Sequence, residues 1–267
     1  MTPKPEKSVS RLTTALALEP REHLALVGGG GKTSLMFALA EELRLTRKRV
    51  VTSTTTKIRH REALSSLCVI VLQTDSSWRD KLREGLQIHG HVFLARSLLD
   101  SGKVQGISSS ISDELFRDQR IDYLLLEADG AAGHPVKAHA EHEPVIPASA
   151  TKVVAMLGLE AVSKPLEPGT VFRIDLFRKL TGLNQGQRLT PAILSRLFLD
   201  PEGIFRGTPV SAKKIAFLNK LDLLAEESQA RDLADLIFES NLNQIDRVVI
   251  GSILKGKYYG KHLCQNG

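Results

Sequence analysis

Four consecutive glycines followed by lysine and threonine, Gly28-Gly29-Gly30-Gly31-Lys32-Thr33, stand between an apolar run and a helical segment. Glycine tolerates positive φ, so such a turn can aim successive main-chain N–H groups at one anion. The start of the helix that follows adds partial positive charge at the same place. A lysine there can reach the outer oxygens of a polyphosphate, and the neighbouring hydroxyl can ligate Mg²⁺. The candidate phosphate contacts are therefore Gly28, Gly29, Gly30, Gly31, Lys32, Thr33 and Ser34. The bland alternative is a glycine-rich structural turn. Strand, glycines, Lys-Thr and helix occurring together argue against it.

One spacing departs from the common phosphate loop. A glycine is expected five residues before Gly31, and Leu26 stands there. The shorter Gly-x-x-Gly-Lys-Thr form is similar to the ATP loop of Mur-type ligases and folylpolyglutamate synthetases.

Carboxylates recur downstream. Leu124-Leu125-Leu126-Glu127-Ala128-Asp129-Gly130 reads as an apolar strand ending on two acids. Two residues apart, Glu127 and Asp129 share one side if the strand persists. Thr33, Glu127 and Asp129 are the candidate Mg²⁺ ligands, direct or through water, and Lys32, Glu127 and Asp129 the candidate catalytic residues. Thr52-Ser53-Thr54-Thr55-Thr56-Lys57 closes another strand. Its Thr54, Thr55, Thr56 and Lys57 would suit a switch segment, although threonine is also simply a good strand former.

Asn219-Lys220-Leu221-Asp222 follows a late apolar run. In the Asn-Lys-x-Asp pattern of GTPases the aspartate accepts from guanine N–H groups that adenine lacks. Asn219, Lys220 and Asp222 are thus candidate base contacts, with Ser252 as a companion. The pattern is short, so GTP and ATP both stay open. The stretch from Gly133 to Pro144 carries His134, Lys137, His139 and His142 beside Glu141 and Glu143. A polar surface loop is the plain reading; metal ligation, proton transfer or contact with a second substrate is the functional one.

These residues need elements to position them. Short apolar runs alternate with helical segments, which predicts a parallel sheet covered on both faces. Strands are expected at His23–Val27, Arg49–Thr54, Cys68–Gln73, His91–Leu94, Tyr123–Glu127, Thr151–Leu157, Lys214–Leu218 and Arg247–Ile250, and helices at Ser34–Leu45, Ser77–Gln87, Ser110–Gln119 and Glu226–Ser240. The expected class is α/β: a P-loop NTPase-like three-layer fold with a mainly parallel sheet and a helical insertion. Residues 1–267 read as one domain. The proline-bearing region 161–209 reads as a helical insertion or lid within it, and Gly130–Pro147 as a long loop.

Composition bounds the rest. The 267 residues carry a formal charge of +6 and a pI of about 9.3, which suits an anionic partner without demonstrating one. Aromatic residues make up only 5%, and the basic stretch Arg44–Arg61 reads as a solvated edge, so no nucleic-acid partner is expected. Cys68 and Cys264 offer no disulfide framework and no zinc spacing; Cys68 reads as a buried strand residue. The polar segment Met1–Ser10 lacks a signal peptide's apolar core, and no run is long enough to span a bilayer, so a cytoplasmic location is expected.

Taken together, Val27–Ser34, Thr52–Lys57, Leu126–Gly133 with Lys137 and Glu143–Pro147, and Leu218–Asp222 resemble the selenium-dependent hydroxylase accessory family, the YqeC-type selenium cofactor biosynthesis proteins. The Glu-Ala-Asp-Gly-Ala segment at Glu127–Ala131 is the most specific of them, and Ser53 departs from an all-threonine run. The resemblance implies a nucleotide-binding protein. It also implies a role in maturing a molybdenum hydroxylase that carries labile selenium, with that hydroxylase or its cofactor as client. Three modes stay open: Mg²⁺-dependent hydrolysis or phosphoryl transfer, a nucleotide-switched binding protein, and a small-molecule ligase or kinase.

Overall fold

The computed structural model describes residues 9–59, 66–240 and 245–262, with only the backbone of 57–59 and 261–262. Residues 1–8, the basic residues His60 and Arg61, and Cys264 lie outside the described residues, as does the side chain of Lys57. In chain order the elements begin α1 (Leu12–Ala15), β1 (Glu22–Gly28), α2 (Lys32–Leu45), β2 (Val50–Thr54), β3 (Lys57–Arg59), β4 (Val69–Val71), α3 (Trp78–His89), β5 (His91–Ala95), β6 (Ser97–Leu99) and β7 (Lys103–Gln105). There follow α4 (Ser109–Arg117), β8 (Tyr123–Glu127), β9 (Val136–Lys137), β10 (Lys152–Gly158), β11 (Val171–Phe172), α5 (Ile174–Thr181) and α6 (Pro191–Leu199). The last are β12 (Lys213–Asn219), α7 (Glu227–Ser240), β13 (Arg247–Ser252) and β14 (Lys257–His262).

One nine-stranded sheet runs in the order β14-β13-β12-β10-β1-β8-β2-β5-β4. Every neighbouring pair is parallel except β13–β14. The central strands are buried along their length and mostly apolar because both faces are covered. Leu24, Leu26, Leu125 and Met156 point into one core with α1 and α2. Ala25, Val27, Val153 and Ala155 point into the other with α6 and α7, and Leu124 and Leu126 meet α3 and α4. This gives the three layers of a P-loop NTPase-like fold.

α2 is fastened by Leu35, Met36, Leu39, Ala40 and Leu43, all essentially inaccessible. A free helix of this length is marginal in water, whereas each buried leucine or methionine contributes about 1.5–3 kcal/mol. The helix start at Lys32 is therefore held rigidly above the sheet. The chain builds outward from β1 on one side through β8, and on the other through β10. The reversal falls at β1, whose carboxyl end is where open α/β sheets of this order bind ligands.

Region 161–209 supplies α5, α6 and β11, and its Phe177, Leu194 and Phe198 share one core with Ala25 and Ala155. The long loop 130–147 is stitched to it by the parallel pair β9–β11. Several elements differ from expectation. The run from Cys68 yields only the three-residue strand β4 and a 3-10 turn at Leu72–Thr74. Cys68 itself precedes the strand and is half-buried rather than enclosed, with its thiol pushed up in pKa by burial and by Glu84. β14 and the small antiparallel sheet β3-β7-β6 were not expected. Their residues are mixed in polarity and depend on partners distant in sequence. Within the basic stretch, Arg44 pairs with Glu41 and Arg49 with Asp122, as a solvated edge would.

Candidate functional site

β1 delivers the glycine turn at its carboxyl end, and the turn is shaped by its neighbours. Gly31 adopts φ 119° and caps α2 with no side-chain hydrogen bond. At Gly30, φ 78° would strain any other residue, and a Cβ would stand 2.1 Å from the Gly158 nitrogen. The loop therefore lies directly on the end of β10.

Its N–H groups divide into two sets. Gly28 donates to Asp129 Oδ2 at 2.8 Å, Gly29 to the Met156 carbonyl at 3.0 Å, and Gly30 to the His134 carbonyl at 3.0 Å. Those three amides, assigned to phosphate from the sequence, hold the loop's shape in this structure. The N–H groups of Gly31, Lys32, Thr33 and Ser34 have no protein acceptor among the described residues. An unpartnered helix start of this kind can bond water or an anion.

Side chains from three elements meet there. Lys32 is almost wholly buried, with Nζ 3.0 Å from Asp129 Oδ1 and 3.6 Å from Glu127 Oε1. It also donates to the Gly28 carbonyl. Burial by itself would lower the lysine pKa, but Asp129 and Glu127 outweigh it and raise it. Thr33 Oγ1 donates to Glu127 Oε2 at 2.8 Å. Neighbouring oxygens around octahedral Mg²⁺, with bonds of roughly 2.1 Å, lie roughly 3 Å apart. Thr33 and Glu127 are thus spaced as adjacent ligands.

Asp129 is differently employed. Besides the Gly28 amide, Oδ2 lies 2.5 Å from His139 Nε2 and 3.4 Å from Lys137 Nζ. Burial pushes this carboxyl up, yet Lys32, His139 and Lys137 hold it well below the usual carboxylate range. Oδ2 is thus shared among protein groups, whereas Oδ1 has only the Lys32 ammonium beside it and no hydrogen-bond partner among the described residues. Lys137 is enclosed, 2.6 Å from Glu143 Oε2, and donates to the Gly130 carbonyl at 2.6 Å. Burial lowers its pKa against the pull of Asp129 and Glu143. Arg173, at the start of α5, lies 2.6 Å from the same Glu143 oxygen. A ladder of alternating charge thus runs from Lys32 through Asp129, Lys137 and Glu143 to Arg173. Neither Glu143 nor Arg173 was among the candidate site residues. Glu143 had a signal in its place beside the histidines; Arg173, lying far along the chain, had none.

The threonine run splits. Thr52 contacts His91 and Ser53 donates to the Leu94 carbonyl, both inside the sheet. Thr54 donates to the Glu127 carbonyl and contacts Thr56, while the Thr55 N–H also donates to that carbonyl. Thr54 and Thr55 thus reach the carboxylate strand, while Thr56 meets it only through Thr54.

The histidines divide as well. His134 is anchored between the Ala131 and Pro168 carbonyls, its ring against Phe172. His139 faces Asp129, and His142 is exposed with no partner among the described residues. No group of three or more His, Cys, Asp or Glu among the described residues is placed to hold a metal. On the outer side of residues 137–141 lies a groove of about 550 Å³, walled by α5 and the loop around Gly203.

Asn219, at the end of β12, donates from Nδ2 to the Gly30 carbonyl at 2.8 Å and accepts the Ile253 N–H at 3.1 Å. It ties the glycine loop to the turn after β13, where the Ser252 hydroxyl accepts the Lys255 N–H. Lys220, at φ 65°, turns its ammonium onto Glu160. Asp222 stands exposed on the 3-10 turn that follows.

A parallel sheet whose first strand passes through a glycine turn into a helix, with Lys-Thr facing the acids of the adjacent strand, defines the P-loop NTPase-like class. Comparison of the sequence with known families narrows this further. The model described as "YqeC protein" matches residues 24–175. The Escherichia coli (strain K12) protein named "Uncharacterized protein YqeC" is 34% identical over 199 residues, 74% of this chain and 75% of the relative. The chain belongs to the YqeC family. Among solved structures, chloroplast FtsY from Physcomitrella patens aligns at a TM-score of 0.41 and 12% identity. That alignment covers 86% of this chain, which spans 59% of the FtsY chain. Among the described residues no helix is long and apolar enough to cross a membrane.

Proposed function

We propose that this protein binds a nucleoside triphosphate with Mg²⁺ and cleaves or transfers its terminal phosphoryl group, in support of maturing a molybdenum hydroxylase that carries selenium, or its cofactor. The observation that carries the nucleotide reading is the uncapped start of α2, with Lys32 and Thr33 set against Glu127. Lys32 would leave its carboxylates for the phosphates, and the amides of Gly31–Ser34 would bond the same oxygens. Thr33 and Glu127 would hold Mg²⁺, which neutralises phosphate charge when bound. Asp129 would keep the Gly28 end of the loop in place. Asp222 and Asn219 support GTP, with binding at least as tight as that of ATP. The client assignment rests on the family resemblance alone.

The test is titration calorimetry of the purified protein with GTP and ATP, each with and without Mg²⁺, followed by a phosphate-release assay. Tight Mg²⁺-dependent binding supports the reading. No binding of either nucleotide by the wild-type protein overturns it.

The charge ladder favours a second mode for the same site, a nucleotide-switched binding protein. Withdrawing Lys32 from Asp129 alters the balance on Lys137, Glu143 and Arg173, hence at the start of α5. In that mode, hydrogen exchange in residues 136–143 and 173–181 should change between the diphosphate and triphosphate states, and turnover should rise only with the client.

A further inference from the structure

Glu160 belongs to no motif singled out in the sequence. It lies in the 3-10 turn Leu159–Ala161, directly after β10. Its Oε1 accepts from Lys220 Nζ. Its other oxygen lies against Gly158, where a Cβ would approach to 2.2 Å, and has no hydrogen-bond partner among the described residues. Gly158 in turn bears on Gly30, and Asn219 Nδ2 bonds back to the Gly30 carbonyl. The contacts therefore close a ring: Gly30, Gly158, Glu160, Lys220, Asn219 and Gly30 again.

Two features make the Glu160 link functional in form. Lys220 sits in the left-handed region at φ 65°, so its side chain leaves the turn in a direction an extended residue would not take. The ammonium then ends on a carboxylate carried by the turn after β10, with both side chains only partly exposed, at 34% for Lys220 and 23% for Glu160. An otherwise mobile lysine is thereby held by a residue that lies next to Gly158, the residue on which the glycine loop rests.

We infer that Glu160 is a positioning residue for the nucleoside half of the site: by fixing Lys220 it sets how tightly the base and ribose are held, while the phosphate half is left alone. This rests on the nucleotide reading above. The phosphate contacts come from the start of α2, to which Glu160 makes no hydrogen bond or ion pair, so the two halves separate experimentally.

The experiment compares GTP with inorganic tripolyphosphate, both with Mg²⁺, on the full chain. Variants are Glu160→Gln, which keeps the shape and removes the charge, Lys220→Met, and the double substitution. Glu160→Gln is expected to weaken GTP by about two- to fivefold, the scale of one partly exposed charged contact, and to leave tripolyphosphate unchanged. In the Lys220→Met background the Glu160→Gln effect should vanish, since the two residues act as one unit. Equal weakening of GTP and tripolyphosphate would mean that Glu160 merely supports Gly158 and the loop, and would overturn the inference. So would unchanged GTP affinity, or a full effect persisting without Lys220. If Glu160→Gln fails to fold, Lys220→Met alone must show the same GTP-only loss. Wild-type protein that binds neither ligand defeats the nucleotide reading itself, an outcome distinct from all of these.

Discussion

Replacing Lys32 with alanine tests the central arrangement through stability before any activity is measured. The ammonium lies 3.0 Å from one carboxylate and 3.6 Å from another, with all three side chains at most 8% exposed. Removing it leaves Glu127 and Asp129 as neighbouring buried anions, still near Lys137 and His139. Breaking a buried pair from one side costs about 3–5 kcal/mol, a large share of the roughly 5–15 kcal/mol that holds a domain folded. At about 2–4 °C per kcal/mol for a chain of this size, the melting midpoint should fall by about 6–20 °C. Mg²⁺ should restore part of the loss in the variant and do little for the wild type, because a cation can replace the missing charge beside Glu127. The assay is thermal and urea unfolding with and without millimolar Mg²⁺. Lys32→Ala/Asp129→Asn should be more stable than Lys32→Ala alone. A Lys32→Ala protein as stable as wild type would refute the reasoning, since Lys32 would then not be paired with these acids in the folded protein. The same variant should lose nucleotide turnover, and the unfolding data distinguish lost chemistry from lost structure.

Other expectations follow from neighbouring groups. Thr33→Val should weaken Mg²⁺–nucleotide binding by about tenfold or more while leaving binding in EDTA unchanged, because the lost group is a metal-ligating hydroxyl; equal loss in both conditions would contradict that role. Asp222→Ala should lower the GTP-over-ATP preference by about tenfold, a modest figure for an exposed acceptor, and an unaffected preference measured by calorimetry would remove Asp222 from base recognition. Acid should destabilise the fold through two histidines outside the site: burial pushes His23 and His91 down to about 4. The unfolded chain takes up those protons near pH 6.5. Stability is therefore intact above 6.5 and declines as pH falls towards 4, by up to about 3 kcal/mol for each residue. Urea unfolding from pH 8 to 4 should show this decline, and His91→Gln should flatten part of it.

Some of this molecule could be read directly from its chain. β1, β8 and β12 are apolar runs buried on both faces, so their positions were visible as hydrophobic stretches of strand length. The glycine turn and the start of α2 were visible because only glycine followed by a helix former satisfies that backbone path. Lys32, Thr33, Glu127 and Asn219 stand at the ends of such elements, and the alternation of strands and helices brings them to one edge.

What the chain alone did not disclose is how those groups share their partners. That Asp129 is consumed by the Gly28 amide, Lys32, Lys137 and His139, and that Gly30 donates to His134, depends on folding loop 130–147 back over the glycine turn. The register of β9 on β11 sets that path. Glu143, Arg173 and Glu160 entered the site the same way, through contacts between segments far apart in sequence. Local propensity and hydrophobic periodicity act over a few residues and can specify elements. Ion pairing in a buried site acts across whatever the fold brings together, so only the assembled tertiary structure decides which charge answers which.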